Sequence, residues 1–131
     1  MTAYLNKDDM TCNAAALGEL FDCTSRNVLH YVDKGMPVLK RGKAGREHEF
    51  NASWSVNWYF GMKACEKLGR RLPRTLETTL TGFFCKGREM AGETFNVYQR
   101  RARKIAEEMG YSRQQYDAAI DHLLAERLIR W

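Results

Sequence analysis

Thr24, Ser25, Arg26, Asn27 and His30 place two hydroxyls, a guanidinium, a carboxamide and an imidazole within seven consecutive residues. These groups donate and accept hydrogen bonds and do not form a nucleophile with its base. Their chemistry is recognition. A guanidinium matches the paired acceptors of guanine or clamps a phosphate, and a carboxamide matches adenine. Hydroxyls at the start of a helix suit phosphate oxygens. His30, one turn further on, can reach a base or a phosphate. Ten residues later Lys40, Arg41, Lys43 and Arg46 add four cations within a short span. Cations so placed can follow a phosphate strand or enter a minor groove. Each phosphate they neutralise should add about −0.9 to the slope of log affinity against log salt.

A polar helix face is by itself an ordinary solvated surface, and a basic turn can be the same. The elements around these residues decide otherwise. Asn13 is a good N-cap, so Ala14 to Phe21 reads as a helix with Leu17, Leu20 and Phe21 inward. Asp22 and Cys23 turn the chain. Thr24 can cap a second helix, Ser25 to Lys34, with Val28, Tyr31 and Val32 on its inner face. Gly35 and Pro37 stop it. Val38 to Arg41 and Arg46 to Phe50 flank Gly42-Lys43-Ala44-Gly45 and read as a β-hairpin. Asn51 caps a third helix, about Ala52 to Leu68, ended by Gly69. Trp54 and Trp58 share a face of it and read as core, not as a base-stacking platform. Helix, turn, helix and basic hairpin in that order predict a winged helix-turn-helix.

Arg70-Arg71-Leu72-Pro73-Arg74 reads as a linker. Three more helices are expected beyond it. Thr75 to Cys85 carries Leu76, Leu80, Phe83 and Phe84. Arg88 to Met109 carries a seam at Ala91, Phe95, Tyr98, Ala102, Ile105 and Met109. Ser112 and Gln115 form a capping box for Arg113 to Leu128, with Tyr116, Ile120, Leu123, Leu124 and Leu128 inward. The expected fold is therefore mostly α, with a small β-hairpin wing. Residues 1–10 form a flexible N-terminus, 11–69 a DNA-binding domain, 70–74 a linker and 75–131 a helical oligomerisation or partner-binding domain. Three helices in about 55 residues leave apolar area to cover. Phe95, Tyr98, Ala102, Ile105, Leu124 and Leu128 are accordingly the expected partner surface of a homodimer or higher oligomer. Two paired readers would favour half-sites about 10 bp apart or a multiple of that. Arg100, Arg101, Arg103 and Lys104 form a second basic cluster, and Arg103–Glu107 and Lys104–Glu108 are spaced for ion pairs.

Composition excludes several classes. The chain has 131 residues, of which 44% are hydrophobic, and a net charge of +5. That suits a globular protein able to bind nucleic acid. No apolar run approaches the roughly 20 residues needed to cross a bilayer. The start, MTAYLNKDDM, lacks a signal-peptide pattern, so a cytoplasmic protein with no membrane partner is expected. Cys12, Cys23, Cys65 and Cys85 form no C-x-x-C pair and have no histidine at zinc spacing. They read as reduced, mostly buried thiols, with no metal and no cofactor. Neither a G-x-x-x-x-G-K-[ST] loop, a G-x-S-x-G elbow nor an H-E-x-x-H pair occurs. His48, between Glu47 and Glu49, reads as part of an exposed charged strand. Glu107 and Glu108 are adjacent and diverge. No catalytic residue is expected, and the chain reads as a binding protein, not an enzyme.

Leu17 to Tyr59 resembles the N-terminal DNA-binding domain of the small terminase subunits of lambda-like phages. The likeness runs through Leu17, Leu20 and Phe21, then Arg26, Val28 and Tyr31, then G-M-P-V-L from Gly35 to Leu39. A Gly- and Lys-rich wing and the Trp58-Tyr59 pair complete it. G-M-P-V-L directly after such a helix is its most specific part, and the whole covers roughly residues 12–62. The resemblance implies a dimeric subunit of a bacteriophage packaging system. Such a subunit recognises packaging-site double-stranded DNA in the host cytoplasm and delivers it to a large subunit holding ATPase and nuclease. DNA-contact roles carry over to Arg26, Asn27 and His30 and to Lys40, Arg41 and Lys43. The family continues with a long connecting helix, whereas the second half here reads as a compact helical unit. Two alternatives follow. One is a phage-satellite protein that binds a helper phage's terminase and redirects packaging to satellite DNA. The other is an excisionase-like or transcriptional regulator.

Overall fold

The computed structural model describes residues 2–43, 47–89 and 94–129, with the backbone alone for 86–89. Among them the chain is mostly helical, with one two-stranded antiparallel sheet. Packing divides it into two compact units, Met1–Val56 and Asn57–Trp131. The division falls inside a helix, not at the proline-containing segment 70–74.

In the first unit β1 (Thr11–Cys12) pairs antiparallel with β2 (Phe50–Asn51), Cys12 opposite Phe50. Helix α1 (Ala14–Phe21) and helix α2 (Ser25–Lys34) lie between them in sequence. Their starts follow from local chemistry. The Asn13 side chain accepts from Ala16 N and the Thr24 hydroxyl accepts from Asn27 N. Each such cap stabilises its helix by about 1 kcal/mol. Gly35, at φ 116, ends α2. The turn between the helices is tight because residue 18 is glycine. A Cβ there would stand 2.7 Å from the Cys23 carbonyl oxygen. Leu17, Phe21, Val28, Val32, Met36, Phe50 and Trp54 are buried in this unit. Phe21 and Tyr31 meet edge to face, with ring centroids 6.3 Å apart. Burial also pushes the Cys12 thiol up to about 11, so it stays protonated. Leu20, expected inward, is exposed.

The N-terminal residues make backbone contacts of their own. Residues 4–13 fold back on themselves: Asn6 N donates to Thr11 O, Asn13 N donates to Tyr4 O, and Leu5 bridges Cys12. Asn13 is the peg. Buried, it accepts from both Tyr4 N and Ala16 N, and its amide donates to Thr2 O. The expected wing is also less regular than a hairpin of two strands. Leu39 N and Lys40 N both donate to Glu49 O, Glu49 N donates to Lys40 O, and the only ladder there among the described residues is the Lys40–Glu49 bridge. Phe50–Asn51 pairs with β1 instead.

Helix α3 (Ala52–Lys67) crosses the division between the units. The Asn51 side chain accepts from Trp54 N at its start. In the second unit α4 (Thr75–Glu89), α5 (Phe95–Glu108) and α6 (Arg113–Ala125) follow. The second half of α3 meets α4 at backbone distance. A Cβ on Gly61 would stand 1.8 Å from the Thr78 carbonyl oxygen, and one on Gly82 would stand 1.7 Å from that of Asn57. Two glycines facing each other remove the side chains that would hold the helices apart. Three buried threonines of α4 keep their hydroxyls satisfied by donating back along the helix, Thr78 to Arg74 O, Thr79 to Thr75 O and Thr81 to Glu77 O.

Leu76, Leu80 and Phe84 of α4, Tyr98, Ala102 and Ala106 of α5, and Tyr116, Ala119, Ile120 and Leu123 of α6 form one core. The four-residue steps on α4 and α5 make the facing stripes. Two boundaries differ from expectation. Helix α4 runs on to Glu89, and α5 starts at Phe95 with the Thr94 hydroxyl accepting from Val97 N. The helix expected from Arg88 is thus two elements, and Ala91 lies outside the described residues. At α6 the Ser112–Gln115 capping box forms in full, and the helix ends at Ala125 instead of Leu128.

Candidate nucleic-acid interface

Helix α2 presents its polar side outward. Val28 and Val32 are its buried residues, whereas Arg26, Asn27 and His30 are exposed and Ser25 is half-buried. Thr24, also exposed, spends its hydroxyl lone pair on Asn27 N at 3.2 Å and keeps its O–H free to donate. The five groups expected to meet DNA therefore lie on one short helix, fixed by a cap at its start and a close turn behind it. Arg26 and His30 are four residues apart and stand one turn above the other. Among the described residues neither has an ion-pair partner within 4 Å.

Lys40, Arg41 and Lys43 are exposed on the segment that follows. Arg46 lies outside the described residues, as do Ala44 and Gly45. The three described cations line an open cleft of about 730 Å³ together with Tyr4, Thr11, Asn13 and His48 and with the carboxylates of Glu47 and Glu49. Tyr4 was not expected to take part. It comes to the cleft because Asn13 holds the N-terminal turn in place, a tertiary link that residue spacing does not show.

His48 is half-buried, not the exposed residue of a charged strand. Gly42 N donates to its Nδ1 at 2.8 Å. The ring also meets Phe50 edge to face, with centroids 6.1 Å apart. His48 thus ties the segment bearing Lys40, Arg41 and Lys43 to the base of the unit.

The residues of the expected partner surface fall in different places. Tyr98 and Ala102 are buried inside the second unit's own core, and Phe95 and Leu128 pack against it. Phe83 stacks on Tyr98 with centroids 4.5 Å apart, and Phe84 lies 5.7 Å from Phe95. Ile105 is half-buried and Leu124 is exposed. The seam that reads as an outer surface is covered by α4 and α6 of the same chain. The ion pairs expected from Arg103 to Glu107 and from Lys104 to Glu108 are also not formed within 4 Å among the described residues. Cross-element pairs stand instead: Glu77 meets His122, and Arg70 meets Glu126 at 3.1 Å. None of the four cysteines is in a disulfide, and Cys12 and Cys65 are buried. Among the described residues no three His, Cys, Asp or Glu side chains group as metal ligands, and no helix is long and apolar enough to cross a membrane.

No family model matches the chain. Among curated proteins it is similar to the DNA-packaging protein NU1 homolog of Escherichia coli strain K12, with 29% identity over 75 residues. The match takes in 55% of this chain and 41% of that protein, so the chain spans about two-fifths of the length of the relative it matches. An exposed polar helix and, in the same unit, a cleft bearing Lys40, Arg41 and Lys43 are thus joined to a sequence likeness to a protein named for DNA packaging.

Proposed function

We propose that the chain is a sequence-specific DNA-binding subunit of phage-type genome packaging, with a winged helix-turn-helix reader and no chemistry of its own. Helix α2 enters the major groove with Arg26, Asn27 and His30 toward bases, and Thr24 and Ser25 reach phosphates near its start. Lys40, Arg41, Lys43 and Arg46 act as the wing. Residues 75–131 bring a terminase partner to the bound DNA. The observation that carries this reading is the outward placement of Arg26, Asn27 and His30 on a capped helix whose opposite side is buried. The likeness to a DNA-packaging protein supports the setting.

The partner is tested by pull-down of the tagged chain with the large and small terminase subunits of a phage found in the same host. Capture of the large subunit is the expected result. Capture of the phage small subunit instead would move the function to redirection of packaging. Capture of neither, with selective binding at a promoter, would contradict packaging and favour a regulator.

A further inference from the structure

Leu29 stands out on the outer side of α2. It is 43% exposed, three residues after Arg26, next to His30 and four before the exposed Asp33. The apolar needs of the helix are met by Val28 and Val32, which are buried. Leu29 is not among the buried residues of the helix. Its neighbourhood also limits what it can meet. Arginine and lysine suit phosphates, whereas leucine and aspartate are poor phosphate ligands. If this side of the helix lies on DNA, Leu29 faces base edges. In the major groove the one large apolar group on any base is the 5-methyl of thymine.

We infer that Leu29 is a specificity-determining residue that packs on the 5-methyl group of a thymine. This rests on the reading of α2 as the helix that meets bases. The thymine's position follows from geometry. Side chains three apart on a helix are about 5–6 Å from each other, and successive base pairs rise about 3.4 Å. The thymine thus falls one or two base pairs from the base that Arg26 contacts. Leucine cannot donate or accept, so it favours thymine over cytosine by the methyl group alone.

The test uses the full chain and its selected DNA site, with each thymine replaced in turn by deoxyuridine, which lacks only that methyl. At one position the unaltered protein should bind about fourfold more weakly, the worth of one buried methyl-sized group. Leu29→Ala should bind the thymine and uracil versions equally. Leu29→Met, which keeps apolar contact, should retain the discrimination. Because Leu29 is exposed, both variants should keep the helical circular-dichroism signal of the parent. Selective binding that ignores uracil everywhere, or discrimination that survives in Leu29→Ala, overturns this inference alone. Absence of any selective binding by the unaltered protein overturns the DNA-binding reading as well.

Discussion

Gly82→Ala is expected to destabilise the second unit by about 3 kcal/mol, the upper end of what overpacking a filled site costs. The new Cβ would stand 1.7 Å from the Asn57 carbonyl oxygen and 2.7 Å from the Gly61 nitrogen. Both obstacles are backbone, so no rotamer change relieves them. The helices must separate by more than an ångström, which forfeits a large part of their dispersion attraction. For a chain of this size the melting temperature should fall by about 12 °C. Gly69→Ala is the matched control. Gly69 lies at φ +65 with nothing within 4 Å of the added carbon, so the change adds only left-handed strain, about 1 kcal/mol. Thermal unfolding followed by circular dichroism should rank the two variants clearly. Equal losses would mean that α3 and α4 do not meet at backbone distance.

The second large effect concerns the cations of the cleft. Replacing Lys40, Arg41 and Lys43 together with alanine should flatten the salt dependence of DNA binding by about 2.7, three phosphates at about 0.9 each. Counterion release of that size corresponds to about a hundredfold loss of affinity at 0.15 M salt. The loss should be nearly the same for specific and random DNA, because phosphate contacts carry no sequence information. Fluorescence anisotropy across a salt series reads both quantities. An unchanged slope would show that these side chains stay in solvent when DNA binds.

The elements that sequence revealed best are those set by neighbours along the chain. Asn13, Thr24, Asn51 and Ser112 each cap a helix through the amide three residues on, and such geometry is local. The exposed set on α2 was legible for the same reason, since one short helix carries it. What escaped depends on distant partners. The fold-back at residues 4–13 is polar and short, and it exists because Asn13 binds Thr2 and Tyr4 across the turn. The half-buried His48 receives Gly42 N from six residues away. The Gly61–Gly82 crossing has no signature in either helix alone. The α5 stripe at Tyr98 and Ala102 packs within its own unit, which the sequence does not tell, because an apolar stripe shows that something covers it and not what does. The α5 start at Phe95 is set by the Thr94 cap, which competes with the apolar spacing that runs through it. The exposure of Leu29 has no sign in the sequence, because a leucine among polar residues can be either core or surface.

Arg26 offers the most direct test of the central claim, that α2 reads DNA sequence. The full chain is used to select sites from a random duplex pool, in parallel with Arg26→Ala, and the enriched sequences are compared. The unaltered protein should enrich a motif containing a guanine, and Arg26→Ala should lose preference at that position with about 1–3 kcal/mol of affinity. An Arg26→Ala protein that enriches the same motif with the same affinity, or a parent that enriches none, would contradict the claim.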